Sequence, residues 1–173
     1  CDDTSVALVE ASDNGFVVLA EKTASQIEIH KHYGGVVPEL AGRMHAEAIG
    51  PVIEEVLKKN KTSFEKPDVI AVTTGPGLVT GLLVGTEAAK TLSYLWGVPL
   101  VAVNHIEGHI HSVFLQTPRD KKGEKNSFQF SVFKIEFPCV ALVVSGGHTE
   151  LILMRDFGMY DLIGKTRDDA AGE

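Results

Sequence analysis

Two histidines stand four residues apart in the stretch His105-Ile-Glu-Gly-His109. On a helix, positions four apart share one face, so both imidazoles can reach a single metal ion. The same spacing also suits polar surface or capping residues, and spacing by itself leaves both readings open. A zinc protease places its general base one residue after the first histidine, beside both ligands. Here the nearest carboxylate is Glu107, two residues on, about 160° to 200° around a helix from either histidine. Such a group is badly placed to hold a metal-activated water, so the spacing disfavours a protease. His111 falls about 240° from His105, off the shared face, and reads as a surface or supporting residue. His30, His32 and His148 have no partner at helical spacing.

A second candidate is the turn Ser145-Gly-Gly-His-Thr149, set between two apolar runs. Glycines there permit positive φ and let backbone N–H groups approach an anion. Asp3, Thr4 and Ser5 read as the corresponding turn near the start of the chain, so two polar hairpins could grip a phosphate between them. The alternative is a pair of ordinary β-turns. Thr74-Gly-Pro-Gly77 could present backbone donors at a helix start or serve as a plain turn, and Arg167-Asp-Asp169 offers paired carboxylates or a solvated end.

These residues need elements to hold them. Val6–Glu10 and Phe16–Ala20 flank an Asp13-Asn-Gly15 turn and read as a β-hairpin, with a third strand expected around Ile27 and Ile29. Helical spacing starts at Pro38 and places Ala41, Met44 or His45, Ala48, Ile49, Val52, Ile53, Val56 and Leu57 inward. A buried strand at 68–73 precedes a helix over 81–96 with Leu82, Ala88, Ala89, Leu92 and Leu95 inward. A buried strand at 99–103 leads to a helix from about His105 to Leu115, with Ile106, Ile110, Val113 and Phe114 as its anchors. Strands over 140–144, 150–154 and 161–163 close the chain.

Hairpins followed by strand–helix alternation predict an α/β fold with a mixed sheet and flanking helices. The order fits the ribonuclease-H-like lobe of the actin, Hsp70 and sugar-kinase superfold. Residues 1–116 are expected to form an N-terminal lobe lacking its first strand, 117–138 a connecting loop, and 139–173 the first hairpins of a second, incomplete lobe. The chain reads as cut at both ends.

Composition bounds the partners. A net charge of −7 suits no stand-alone nucleic-acid binder, and the one basic cluster, Arg119 to Lys125, reads as a solvated loop. Contact with RNA would need partner subunits or further sequence. Two cysteines, Cys1 and Cys139, are too few for a disulfide framework and suit a reducing compartment. With no membrane-length apolar run and no secretory leader, a cytoplasmic protein is expected.

Six pieces in order carry a resemblance: Cys1-Asp-Asp-Thr4, Gly34-Gly-Val-Val-Pro-Glu39, Gly75-Pro-Gly-Leu78, Asn104-His-Ile-Glu-Gly-His109, Ser145-Gly-Gly-His-Thr149 and Asp168-Asp-Ala-Ala-Gly-Glu173. Together they resemble the TsaD family, whose older name is O-sialoglycoprotein endopeptidase. The resemblance implies transfer of a threonylcarbamoyl group from threonylcarbamoyl-AMP to N6 of adenosine 37 in tRNAs reading ANN codons. It implies iron or zinc on His105 and His109, and an adenylate site lined by Val143, Val144, Ser145, Gly146 and Gly147. It also implies a metal-free scaffold paralogue and a small ATPase as partners. Archaeal and eukaryotic relatives carry a metal-binding tyrosine at the position of Val143 and asparagine at that of His148, so the likeness is to the bacterial branch. The family's leading strand and the aspartate completing its metal site have no counterpart here, and the chain alone is expected to be inactive. Competing readings are a small-molecule kinase of the same superfold, a non-catalytic scaffold, and the metalloprotease of the older name.

Overall fold

The computed structural model describes residues 2–12, 15–59, 66–116, 135–145, 147–168 and 170–171. They fall into two compact units. The first takes in the described residues up to His105 and returns at Leu115 and Gln116; the second takes in Ile106–Phe114 and the described residues from 135 on.

In the first unit, β1 (Asp3–Ser12) and β2 (Gly15–Ser25) pair antiparallel from Asp3↔Ser25 to Ser12↔Gly15. Both strands outrun the expected hairpin because Thr, Ser and Val continue its period of two. Asp3, Thr4 and Ser5 are therefore strand residues, not a turn, which corrects the expectation of a phosphate-gripping hairpin there. Thr4 is buried, and its side-chain oxygen lies 2.7 Å from Nδ1 of His45. The expected third strand is also replaced. Ile27–His30 form a single turn of helix, α1, followed by a 3-10 turn over Lys31–Tyr33. The Gln26 carbonyl accepts from the N–H groups of both Ile29 and His30, which closes the turn.

Helix α2 (Pro38–Lys59) opens on a proline, whose fixed φ suits a first turn. Its buried residues are Ala41, His45, Val52 and Val56, a stripe that contacts β1 and β2. Next comes β3 (Ile70–Gly75), then α3 (Val79–Trp96), then β4 (Leu100–Asn104), which pairs parallel with β3. Gly97 ends α3 in the left-handed region at φ 64°, where a Cβ would be strained, and its N–H bonds the Ser93 carbonyl. Two expectations fail here. Leu95 is 71% exposed, and β4 is largely exposed, with Val101 at 47%. Helix α4 (His105–His111) follows β4 directly. It gives way to a 3-10 turn over Ser112–Phe114, and β5 (Leu115–Gln116) pairs parallel with β2. The change of helical pitch turns Val113 outward to 50% exposure, so it is no core anchor.

The second unit is an antiparallel meander of β6 (Cys139–Val144), β7 (Thr149–Asp156) and β8 (Met159–Lys165), in that spatial order. Ile106 and Ile110 of α4 close its core against Val143, Ile152 and Met154. The basic cluster of 119–125 and the Asp13-Asn14 turn lie outside the described residues, as do Gly146, Asp169 and most of the expected connecting loop. Among the described residues no helix is long and apolar enough to cross a membrane.

Candidate functional site

The helix that carries the histidine pair is short and anchored by its alternate side. Ile106 and Ile110, one turn apart, are buried in the second unit's core. His109 sits one position before Ile110, about 100° around the helix, and is exposed. His105 opens the helix one turn earlier and is half-buried. Glu107 is half-buried too.

A groove of about 380 Å³ lies within the second unit, between α4 and the first strand of the meander. His109, Ile110, Val113, Cys139 and the run Val140–Val144 line it. One expected metal ligand, His109, thus shares a groove with two expected adenylate contacts, Val143 and Val144. The two valines play different parts. Val143 is 7% exposed and packs into the core, whereas Val144 is 50% exposed. Strand alternation produces this difference, since successive side chains leave opposite faces of the sheet.

Beyond Val144 the chain turns sharply. Ser145 N–H donates to the His148 carbonyl at 2.8 Å, and the His148 N–H donates to Ser145 Oγ at 3.0 Å. The Ser145 N–H is therefore already used within the turn. Gly147 is exposed and does not take a positive φ, so the conformational freedom expected of it is not exercised. Gly146, expected beside it, lies outside the described residues. Arg167 and Asp168 are exposed.

Among the described residues no three of His, Cys, Asp or Glu gather closely enough to enclose a metal. The donor set on α4 is two imidazoles. Imidazole nitrogen is a donor that suits zinc and ferrous iron. Cys139 lines the groove as a free thiol but does not complete a cluster.

Sequence reasoning overlooked two groups of residues. His111, expected as a surface or supporting residue, is half-buried with partners the spacing did not show: its Nε2 lies 3.0 Å from the Tyr160 hydroxyl, and Phe157 lies against its ring at 6.0 Å between centroids. The second group is a buried polar chain in the first unit. The Val37 N–H donates to His30 Nδ1 at 3.3 Å, which leaves the His30 proton on Nε2, facing Gln26 Oε1 at 3.0 Å. Gln26 Nε2 then donates to His45 Nδ1 at 3.2 Å, joining the Thr4 hydroxyl there. Burial holds His45 below the usual imidazole range, as suits a ring that accepts at Nδ1. Helical spacing from Pro38 offers His45 as an inward position beside Met44, and its burial bears that alternative out; Thr4, Gln26 and His30 carry no such mark, since polar residues of this kind normally face solvent.

Residues 17–173 match the family profile described as TsaD: tRNA N6-adenosine threonylcarbamoyltransferase. The chain is 49% identical over its whole length to the tRNA N6-adenosine threonylcarbamoyltransferase of Bacillus thuringiensis (strain Al Hakam), of which it covers 45%. It is 50% identical to the protein of the same name from Clostridium kluyveri (strain ATCC 8527), covering 46%. The chain thus spans about half the length of the curated relatives it matches. A match of this extent, over residues that include both α4 and the meander beside it, shows that the chain belongs to the TsaD family.

Proposed function

We propose that the protein to which this chain belongs transfers a threonylcarbamoyl group from threonylcarbamoyl-AMP to N6 of adenosine 37 in tRNAs reading ANN codons. The single structural observation that supports this reading is the groove shared by His109 and Val144. It sets a metal-binding type of side chain against an apolar strand on which a nucleotide can lie. In the reaction the N6 amine attacks the carbamoyl carbonyl carbon, the bond from that carbon to the phosphate oxygen breaks, and AMP leaves with the electron pair. The N6 proton passes to solvent. No covalent protein nucleophile is needed.

His105 and His109 would hold iron or zinc, together with ligands from outside the described residues. Such an ion would supply Lewis acidity at the acyl-phosphate, where oxyanion charge develops. The chain's own residues do the rest. Val140, Leu142 and Val144 put apolar surface along the groove and keep water from one side of the activated acyl group.

The same reading carries finer expectations. Antiparallel strands followed by β3–α3–β4 in the first unit support the actin, Hsp70 and sugar-kinase fold. The three-stranded meander, repeating the antiparallel start of the first unit, supports residues 139–173 as the opening of a second lobe. A net charge of −7 supports tRNA docking with help from partner subunits, a scaffold paralogue and a small ATPase. A cytoplasmic location follows from tRNA as substrate. Val143, Ser145, Gly146 and Gly147 complete the proposed adenylate contacts beside Val144.

The test is complementation. The full-length gene is restored in cells lacking the activity, and threonylcarbamoyl-adenosine is measured in bulk tRNA. Wild type is expected to restore the modified nucleoside, and the double variant His105→Ala, His109→Ala to fail. Rescue by the double variant would end the metal role; failure of wild type would end the proposed reaction.

A further inference from the structure

The most developed unexplained arrangement in the second unit is an aromatic clamp on the side of α4. Nε2 of His111 lies 3.0 Å from the Tyr160 hydroxyl on β8, with ring centroids 6.2 Å apart and nearly edge-on. Phe157, in the turn between β7 and β8, lies tilted against the imidazole with centroids 6.0 Å apart. Phe137 in turn meets Phe157 edge-to-face at 5.0 Å. Two rings, Tyr160 and Phe157, thus meet one side chain of a seven-residue helix, and Phe137 backs the second of them.

The position of that side chain matters. Ile106 and Ile110 pack α4 into the second unit's core along one line of its surface, about 40° wide. His111 lies about 100° to one side of Ile110, and His109 about 100° to the other. A bond at His111 holds the helix at a second point, off that line, and the roll of the helix bears on where His109 points. The lever is sensitive. Side-chain atoms lie about 5–6 Å from a helix axis, so a roll of about 10° carries the His109 ring by about 1 Å. Metal–ligand distances tolerate only about 0.2 Å.

We propose that Tyr160 and His111 are positioning residues that set the roll of α4 and so aim the His109 imidazole. The clamp is built from side chains that are not among those lining the groove. It rests on the reading of His105 and His109 as metal ligands.

Cobalt(II) titration of the full-length protein tests this, because its d–d absorption reports both affinity and ligand geometry. Tyr160→Phe removes the hydroxyl and keeps the ring. It is expected to weaken Co2+ binding about five-fold, the effect of one hydrogen bond of about 1 kcal/mol, and to alter the band shape. His111→Leu should do the same. His111→Gln, which keeps an acceptor where Nε2 stood, should restore affinity to within about two-fold of wild type. Thermal midpoints recorded in parallel without metal separate aiming from folding, since Tyr160→Phe is expected to lower the midpoint by only the few degrees that one hydrogen bond is worth, leaving a folded protein with an altered spectrum. Wild-type affinity and band shape in Tyr160→Phe overturn the clamp alone. A wild-type spectrum that persists in His105→Ala, His109→Ala overturns the metal reading, and the clamp with it.

Discussion

The side-chain oxygen of Thr4 and Nδ1 of His45 lie 2.7 Å apart, joining β1 to α2 across 41 positions of sequence. Both residues are buried, so neither can exchange this partner for water.

Thr4→Val keeps the strand-favouring branched shape and removes only the hydroxyl. It is expected to destabilise the chain by about 1 kcal/mol, read from the urea midpoint, whereas Thr4→Ser stays within about half of that. Equal losses in the two variants would show that the hydroxyl is not what matters.

The same histidine makes stability depend on pH. Its imidazole is held below the ordinary value of 6.5, chiefly by burial, with Asp2 and Asp3 pulling in the opposite direction. The unfolded chain therefore takes up a proton before the folded one does. Stability from this group is complete above pH 6.5 and drains away as pH falls through that value towards the folded pKa. Denaturant midpoints followed downward from about pH 7.5 should decline, and His45→Gln should flatten the decline. An unchanged slope in that variant assigns the pH dependence to another group.

Two glycines of α3 should answer the same substitution with opposite signs. A Cβ on Gly81 would come within 3.0 Å of His45 Cδ2, and that ring is held by Thr4 and Gln26. At Gly85 the nearest atom, Val72 Cγ2, is a comfortable 3.8 Å away. Gly85→Ala should stabilise by about 0.5–1 kcal/mol through helix propensity. Gly81→Ala should destabilise by about 1 kcal/mol, because overpacking outweighs that gain. Thermal melts of the two variants side by side settle the matter, and stabilisation by both would mean His45 can shift.

Met154 is 2% exposed at the centre of the second unit's core. Met154→Ala should cost about 2–5 kcal/mol, and hydrogen exchange should show the loss first in the amides of β6, β7 and β8. Protection unchanged in those strands would place the core elsewhere.

Much of this architecture was legible from periodicity. The helical spacing from Pro38 and the apolar runs around Val140, Leu151 and Leu162 foretold α2 and the meander, because long or bounded patterns leave little ambiguity. Ile27 and Ile29 misled, since two isoleucines in alternation imitate a strand while the Gln26 carbonyl closes a helical turn beneath them. Val113 misled for a different reason: the passage from α-helix to 3-10 turn after His111 shifts every later side chain around the axis. The histidine pair and the glycine turn could be found by spacing and resemblance. The clamp on His111 could not, because its partner lies 49 residues away and no local pattern links them.

One face of the meander carries Val140, Leu142, Val144 and Leu151 in the open, at 55%, 62%, 50% and 41% exposure. A surface like this is adhesive in water. Preparations of the chain on its own should gather into assemblies as concentration rises and loosen again in mild detergent. Leu142→Lys offers a simple way to keep them dispersed.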